Sequence, residues 1–548
     1  MNGDQAIAKI LKAEGVEWIA CFPAQGLIDA CTQAGIRPVL VRQERAGVNM
    51  ADAFSRINNG NKIGVFTMQT GPGAENAFGG VAQAYADSVP ILLLPGGQPA
   101  GRQDVHPNFE STKNYGGVTK FMASINIPGR ISELMGMAFS QLKHGRPGPV
   151  LLELPRDVTG AEIAEDSLSY TPVKAFKSGG DPDDVRDLVK AVLAADYPII
   201  NAGQGILYAE ATDELVEFAE LTNIPVFTTL AGKSGFPEDH ALALGTGAGS
   251  GPLMVHRAFQ KTDFILGIGT SLTISGFNAP LPTGKIMAQV TNCAEDVNKD
   301  YRIEHGAVGD AKLVLRQMIE EVKSQVGEHG RGDVHGVAVD VVKDKAEWDA
   351  EWSPRLNSDE VPISPYRVLT ELTKAINPRD AIVTHDSGYP REQFVPFWPA
   401  LNPRSYIGWG KSTQLGYGLG LALGAKLAAP EKTVVNVMGD AAFGMSGLDI
   451  ETAARSEIPI LTVVLNNGVM THYGASMPAA TERWGSNRLG GEYAKVAEAL
   501  GAYGERVESP DQIGPAIGRA LEAHKSGQPA LLEMMTKEEE TISRYWER

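Results

Sequence analysis

Cysteine is scarce in this chain. Cys21, Cys31 and Cys293 are the three in 548 residues, and they offer neither a disulfide framework nor metal-ligand spacing. A reducing, cytoplasmic location is therefore expected. Positive charge is also short. The 49 Lys and Arg stand against 66 Asp and Glu, a net charge of −17 that argues against a nucleic-acid partner or an anionic membrane surface. A diphosphate ligand is still compatible, because a divalent cation and local amide donors can neutralise it. No apolar run approaches the roughly 20 residues needed to cross a bilayer; Val89 to Pro95 is one of the longest. The N-terminal segment has Asp4 and Glu14 among its apolar residues, which reads as an amphipathic helix and not a signal peptide. What remains is 43% hydrophobic and 21% charged, ordinary for large globular cores. The length suits about three or four domains.

The most informative stretch is Val434 to Asn467. An apolar run, Val434 to Met438, predicts a buried parallel strand. Gly439-Asp440 and a series of small residues follow, then a predicted helix from Leu448 to Glu457, a second apolar run from Ile460 to Leu465, and Asn466-Asn467. Each dipeptide alone is a common turn. Together they put an acid and an amide at the ends of two strands, on the edge where open α/β sheets bind ligands. One carboxylate, one amide oxygen and a backbone carbonyl form half of an octahedral oxygen cage, which suits Mg²⁺.

The remainder alternates strands and helices and predicts an α/β protein of three doubly wound parallel-sheet domains. They are expected at residues 1–165, 183–325 and 361–548. In the first, Glu44 lies between a strand ending at Val41 and a helix running to Arg56. Taken alone it reads as a first-turn acid favouring the helix dipole. The strand from Ile63 to Met68 leads into Gln69-Thr70-Gly71-Pro72-Gly73-Ala74-Glu75-Asn76, and a long polar loop is expected from Gln98 to Tyr115. In the second, Gly203-Gln204-Gly205 lacks the third glycine of a dinucleotide fingerprint and is read as a strand-to-helix turn. Glu165 to Asp184 and Ser324 to Glu360 are read as linkers, and the last stretch, TKEEETISRYWER, as a charged tail.

The interval from Asp440 to Asn467 resembles the signature of thiamine diphosphate (ThDP) enzymes, with Ala441 where the family usually has a second glycine. Arg42 to Arg56, Thr70 to Asn76 and Gly145 to Val158 extend the likeness over nearly the whole chain. It is similar to the acetolactate synthase, pyruvate oxidase and benzoylformate decarboxylase family, whose order is pyrimidine-binding, central and diphosphate-binding domain. The resemblance implies that Asp440 and Asn467 bind Mg²⁺ by their side chains and Val469 by its carbonyl. Gly439, Ala441 and Ala442, with Ser387, Gly388 and Tyr389, would hold the diphosphate. Leu415 would prop the cofactor into its bent shape, and the Thr413 carbonyl would accept from its amine. Pro72 and Asn76 match the pyrimidine pocket, and Glu44 the carboxyl that hydrogen-bonds the pyrimidine ring. In this family the two cofactor halves come from different subunits, which implies a homodimer or homotetramer with active sites at the subunit interface.

Gln25 and Gln69 match positions that face substrate in relatives, and both amides suit a carboxylate or hydroxyl. Polar loop capping is their alternative role. The expected activity is decarboxylation of a 2-keto acid, or cleavage of a 2-hydroxy ketone, with release or carboligation of the aldehyde unit. Glu110, in Asn108-Phe109-Glu110, replaces a glutamine of the synthases and counts against acetolactate itself as the product. His106 and His472 are read as loop histidines with acid–base work as the alternative. FAD is not expected, because Gly269-Thr270-Ser271-Leu272 replaces the Arg-Phe-like pair of flavin-binding members, and Thr291-Asn292 replaces the acidic end of the next strand. A 2-hydroxyacyl-CoA lyase or oxalyl-CoA-type decarboxylase stays open, as does a non-catalytic ThDP-fold regulator.

Overall fold

The computed structural model describes residues 1–23 and 25–546, so Ala24 and the last two residues of the tail lie outside the described residues. Three parallel six-stranded sheets form the molecule. The first contains β1 (Trp18–Cys21), β2 (Arg37–Leu40), β3 (Gly64–Met68), β4 (Ile91–Gly97), β5 (Phe121–Ser124) and β6 (Val150–Pro155). The second contains β7 (Pro198–Ala202), β8 (Val226–Thr228), β9 (Ala243–Thr246), β10 (Phe264–Ile268), β11 (Ile286–Thr291) and β12 (His305–Val308). The third contains β13 (Ala381–His385), β14 (Tyr406–Ile407), β15 (Thr433–Gly439), β16 (Leu461–Asn466), β17 (Tyr503–Val507) and β18 (Ala530–Met535).

Strand order separates the three. The first sheet runs β2-β1-β3-β4-β6-β5 and the third β14-β13-β15-β16-β18-β17, so numbered within each unit both read 2-1-3-4-6-5. The middle sheet runs β12-β11-β10-β7-β8-β9, a 6-5-4-1-2-3 order. In the outer sheets the connections reverse direction between the unit's first and third strands. That is the crevice in which doubly wound sheets take ligands, at the C-terminal ends of the strands.

One apolar core joins the outer units. Val48, Phe54 and Phe66 of the first share it with Leu419, Val435 and Val463 of the third. At its seam the helix Glu44–Ile57 lies along the helix Tyr417–Ala428. Backbones meet closely there. A Cβ on Gly424 would sit 2.1 Å from the Met50 carbonyl oxygen, so this position accepts only glycine without a shift.

Two regions depart from expectation. The stretch read as a second linker carries a long helix, Val337–Leu356, whose Val337, Val341, Trp348 and Trp352 are buried in the central core. Those four positions make one narrow stripe on an otherwise charged helix, so mean polarity concealed it. The charged tail also docks. Ser543 is fully buried, accepts from Trp348 Nε1 at 3.0 Å and donates to the Gly251 carbonyl at 2.8 Å. Smaller differences are the unforeseen strands β5, β9, β12, β14, β17 and β18 and a short helix, Ser111–Asn114, inside the polar loop. The helix expected from Leu448 begins earlier, as Asp440–Ser446, and resumes as Ile450–Arg455 after a 3₁₀ turn. Among the described residues no helix is long and apolar enough to cross a membrane.

Candidate active site

The C-terminal edge of the third sheet gathers most of the expected cofactor residues. β15 and β16 pair in parallel with Gly439 opposite Leu465, which brings Asp440 level with Asn466 and leaves Asn467 one residue further, just beyond the strand end. Asp440 opens its helix and is buried. Its Oδ1 accepts from the Ala441 N–H at 2.7 Å and its Oδ2 from the Gly468 N–H at 2.9 Å. Burial raises its pKa, and those two bonds only partly oppose that. Asn467 Oδ1 accepts from the Val469 N–H at 3.0 Å, and its Nδ2 donates to Thr471 Oγ1 at 2.8 Å. Ala441 is the second residue of the helix, so no left-handed backbone is demanded where relatives have glycine.

Beside it, β13 ends in Asp386 and Ser387, and Gly388 precedes the helix Tyr389–Phe394. Ser387 Oγ and Thr413 Oγ1 are 2.8 Å apart, which joins two candidate positions 26 residues apart in sequence. Asp386 is a buried acid at this edge that sequence reasoning passed over. Its carboxylate accepts from the N–H groups of Ser387 at 2.7 Å, Gly416 at 3.0 Å and Gly418 at 2.8 Å, tying the Ser387 turn to the loop of Leu415. Burial pushes its pKa up to about 6 despite these donors. The available signal was its position, an acid directly after a strand, as Asp440 is. Gly416 has φ +81°, and a Cβ there would lie 2.8 Å from that of Met445, so glycine lets the Leu415 loop close onto the Asp440 helix.

The first sheet presents its own edge. Glu44 opens the helix Glu44–Ile57 and is buried, and Asn76 Nδ2 donates to its Oε2 at 3.2 Å. Pro72 is the first residue of the helix Pro72–Ala86. Gln25 is engaged at both ends: Thr67 Oγ1 donates to its Oε1 at 2.5 Å, and its Nε2 donates to the Met68 carbonyl at 2.5 Å. Gln69 is half-buried beside Gly73. Neighbours of Glu44 join the two edges within one chain. The Arg42 N–H donates to Asp449 Oδ1 at 2.8 Å, and Arg45 Nη2 to the Met445 carbonyl at 3.1 Å.

Other residues singled out in the sequence stand apart from these groups. Glu110 is buried in its own loop, accepting from the Asp104 N–H at 2.7 Å and pairing with Lys113 at 3.0 Å. His106 is exposed, and so is His472, whose ring lies 3.9 Å from Glu540. Gln204 sits in a strand-to-helix turn, as expected, and its amide reaches out of the central unit to Arg56 and Asp87 of the first. A cavity of about 650 Å³ opens where the three units meet, bordered by Gln204, Gly269, Ser271 and Lys411.

Comparison with known proteins agrees with this architecture. Residues 1–116 match the N-terminal TPP-binding domain of thiamine pyrophosphate enzymes, 185–318 their central domain and 386–534 their C-terminal TPP-binding domain. A probable acetolactate synthase large subunit of Methanocaldococcus jannaschii is 30% identical, over 99% of this chain and 93% of the relative. The chain belongs to the thiamine pyrophosphate enzyme family. An acetolactate synthase isozyme 3 large subunit of Escherichia coli K12 is 28% identical over 95% of this chain and 92% of its own length. A glyoxylate carboligase of Escherichia coli O157:H7 is 28% identical over 95% of this chain and 90% of its own. This thiamine pyrophosphate enzyme is accordingly a ThDP-dependent decarboxylase or carboligase.

Proposed function

We propose that the protein uses ThDP and Mg²⁺ to decarboxylate a 2-keto acid and to ligate or release the resulting aldehyde unit. The observation that carries this reading is the pairing of Asp440 with the Asn467 turn at the edge of the third sheet. The donor set fits Mg²⁺. It consists of oxygens only, from the Asp440 carboxylate, the Asn467 amide and the Val469 carbonyl, and the single acid is buried. Gly439, Ala441, Ala442, Ser387, Gly388 and Tyr389 would hold the diphosphate, and Leu415 with the Thr413 carbonyl would hold the bent cofactor. When bound, ThDP supplies a nucleophilic carbon and an electron sink for breaking a bond next to a carbonyl.

Glu44 would hydrogen-bond the pyrimidine ring and exchange a proton with it, and its burial beside Asn76 supports that role. Pro72 and Asn76 would line the ring's pocket. Gln25 and Gln69 would orient the substrate carboxylate, Gln25 from a position held by Thr67 and the Met68 carbonyl. We infer pyrimidine-binding, central and diphosphate-binding domains at 1–165, 183–325 and 361–548, a cytoplasmic setting, and an assembly of at least two chains whose sites lie between subunits. The exposed Phe78, Met445 and Leu448 near the two edges support such a contact. Gly269 to Leu272 supports a protein without FAD. The glyoxylate carboligase relative and the position of Glu110 leave the acceptor undefined between a second keto acid and another aldehyde.

Calorimetric titration of the full chain with ThDP, with and without Mg²⁺, tests the reading together with CO₂ release from a panel of 2-keto acids and acyl-CoA compounds. Mg²⁺-dependent uptake and release from at least one keto acid are expected. No uptake under either condition sinks the assignment, and CO₂ release from oxalyl-CoA alone moves it to the CoA-thioester class.

A further inference from the structure

The loop from Gly408 to Tyr417 carries Thr413 and Leu415, yet much of what holds it comes from the first unit. Asp87, the residue that ends the helix Pro72–Ala86, turns its carboxylate onto the loop backbone. It accepts from the Gly410 N–H at 3.0 and 2.9 Å and from the Lys411 N–H at 2.9 Å. Arg56 backs it, donating to Asp87 Oδ2 at 3.0 Å and to Asp52 Oδ1 at 2.6 Å. The same guanidinium reaches the loop at two more points, the Gly408 carbonyl at 3.0 Å and the Tyr417 hydroxyl at 2.9 Å. Gln83 adds its Oε1 to the Gln414 N–H at 3.4 Å and its Nε2 to Asp87 at 3.3 Å. All of this is dry, since the side chains of Arg56 and Asp87 are 1% and 0% exposed.

From its own unit the loop receives Asp386 at Gly416 and Ser387 at Thr413. The glycines at 408, 410 and 416 leave its backbone many conformations in isolation. The anchors from the first unit therefore select one of them. Burial works against the charge of Arg56, and Asp52, Tyr417 and Asp87 together outweigh it, so the guanidinium remains protonated. A charged acceptor facing two backbone donors and a trapped cation gives the loop little freedom to drift.

We propose that Asp87, backed by Arg56, is a positioning residue for the reaction: it sets the loop 408–417, and through it Leu415 and Thr413, from outside the diphosphate-binding unit. This rests on the ThDP reading above. Asp87 acts through the loop backbone, and its carboxylate is bonded to Gly410, Lys411, Arg56 and Gln83 and not to the Asp440 side of the site.

The test is Asp87→Asn in the full chain. Asparagine keeps the size but turns an amide group toward backbone donors and removes the charge facing Arg56. In the protein without cofactor, hydrogen–deuterium exchange over 408–417 should speed up by about tenfold or more, while peptides over 464–470 exchange as in wild type. With ThDP and Mg²⁺, the near-ultraviolet circular dichroism of the bound cofactor should change. Turnover should fall about a hundredfold, with substrate KM within a few-fold of wild type. Gln83→Met, which removes the Gln414 anchor and no charge, should give the same signature at a few-fold scale. It decides the matter if Asp87→Asn does not fold. Wild-type exchange over the loop overturns the proposal, and so does faster exchange with unchanged dichroism and kcat. A wild-type chain that takes up no ThDP fails the function reading first, in the calorimeter and before any variant is made, and the proposal falls with it.

Discussion

The first and third units share a strand order and differ in what they place at the same edge. Beyond the first strand of each lie Gln25 in one and Asp386-Ser387 in the other; beyond the third lie Gln69 and Pro72 in one and Asp440 in the other. The first edge offers amides and one buried carboxyl, Glu44, held by a neutral partner. The third offers acids whose ligands are backbone N–H groups. Equal topology thus carries two different sets of groups, amides with one buried carboxyl at one edge and acids held by backbone N–H groups at the other. The backbone provides the crevice and the loops decide its occupant.

Asp440→Ala breaks the third edge and should have the largest effect. On the proposed reading the protein loses its only charged metal donor, and purified variant is expected to retain no ThDP by mass or cofactor assay; normal occupancy would remove the metal site from this edge. Glu44→Gln breaks the first edge in another way. Turnover should fall by about two to four orders of magnitude, the range for a lost proton-transfer group, while ThDP affinity changes much less. A loss of only about 0.3–1 kcal/mol in stability with near-normal turnover would make Glu44 a helix-dipole acid instead.

The seam between the two edges can be tested by pH. Asp449 is buried, and burial pushes its pKa from 3.8 up to about 6. Because the folded value is the higher one, the folded state holds a proton that the unfolded chain has released in that window. Its contribution to stability is full below about pH 4 and lost as pH rises through about 6. Asparagine can keep both bonds that Oδ1 accepts, from the Arg42 N–H at 2.8 Å and from Thr452 Oγ1 at 2.9 Å. Asp449→Asn should therefore be about 3 kcal/mol more stable than wild type at pH 8 and nearly level with it near pH 4, by denaturant unfolding. An equal difference at both pH values would remove Asp449 as the source. The smallest effect concerns how the third unit ends. Ser543→Ala leaves Trp348 Nε1 without its partner in the docked tail and should lower stability by about 1 kcal/mol, read by thermal unfolding.

Much of the candidate site was legible because it is local. Asp440 and Asn467 belong to one strand–helix–strand unit, and apolar runs at both ends reveal its pattern. Glu44 and Asn76 were found as separate motifs, and their contact needed the fold. The helix Val337–Leu356 was misread because its polar residues outnumber the Val337, Val341, Trp348 and Trp352 stripe. The docking of Ser543 was invisible, since a serine in a charged tail looks like any solvated residue.

By itself, the order of apolar runs and turn residues determined the α/β class and the parallel sheets. These follow from period and spacing, which act over a few residues. The tertiary structure alone decided that Asp87, Arg56 and Gln83 grip a loop more than 300 residues downstream. Their partners there are mostly backbone N–H and carbonyl groups. Nearly every residue carries those groups, so no letter in the sequence marks them as the ones chosen.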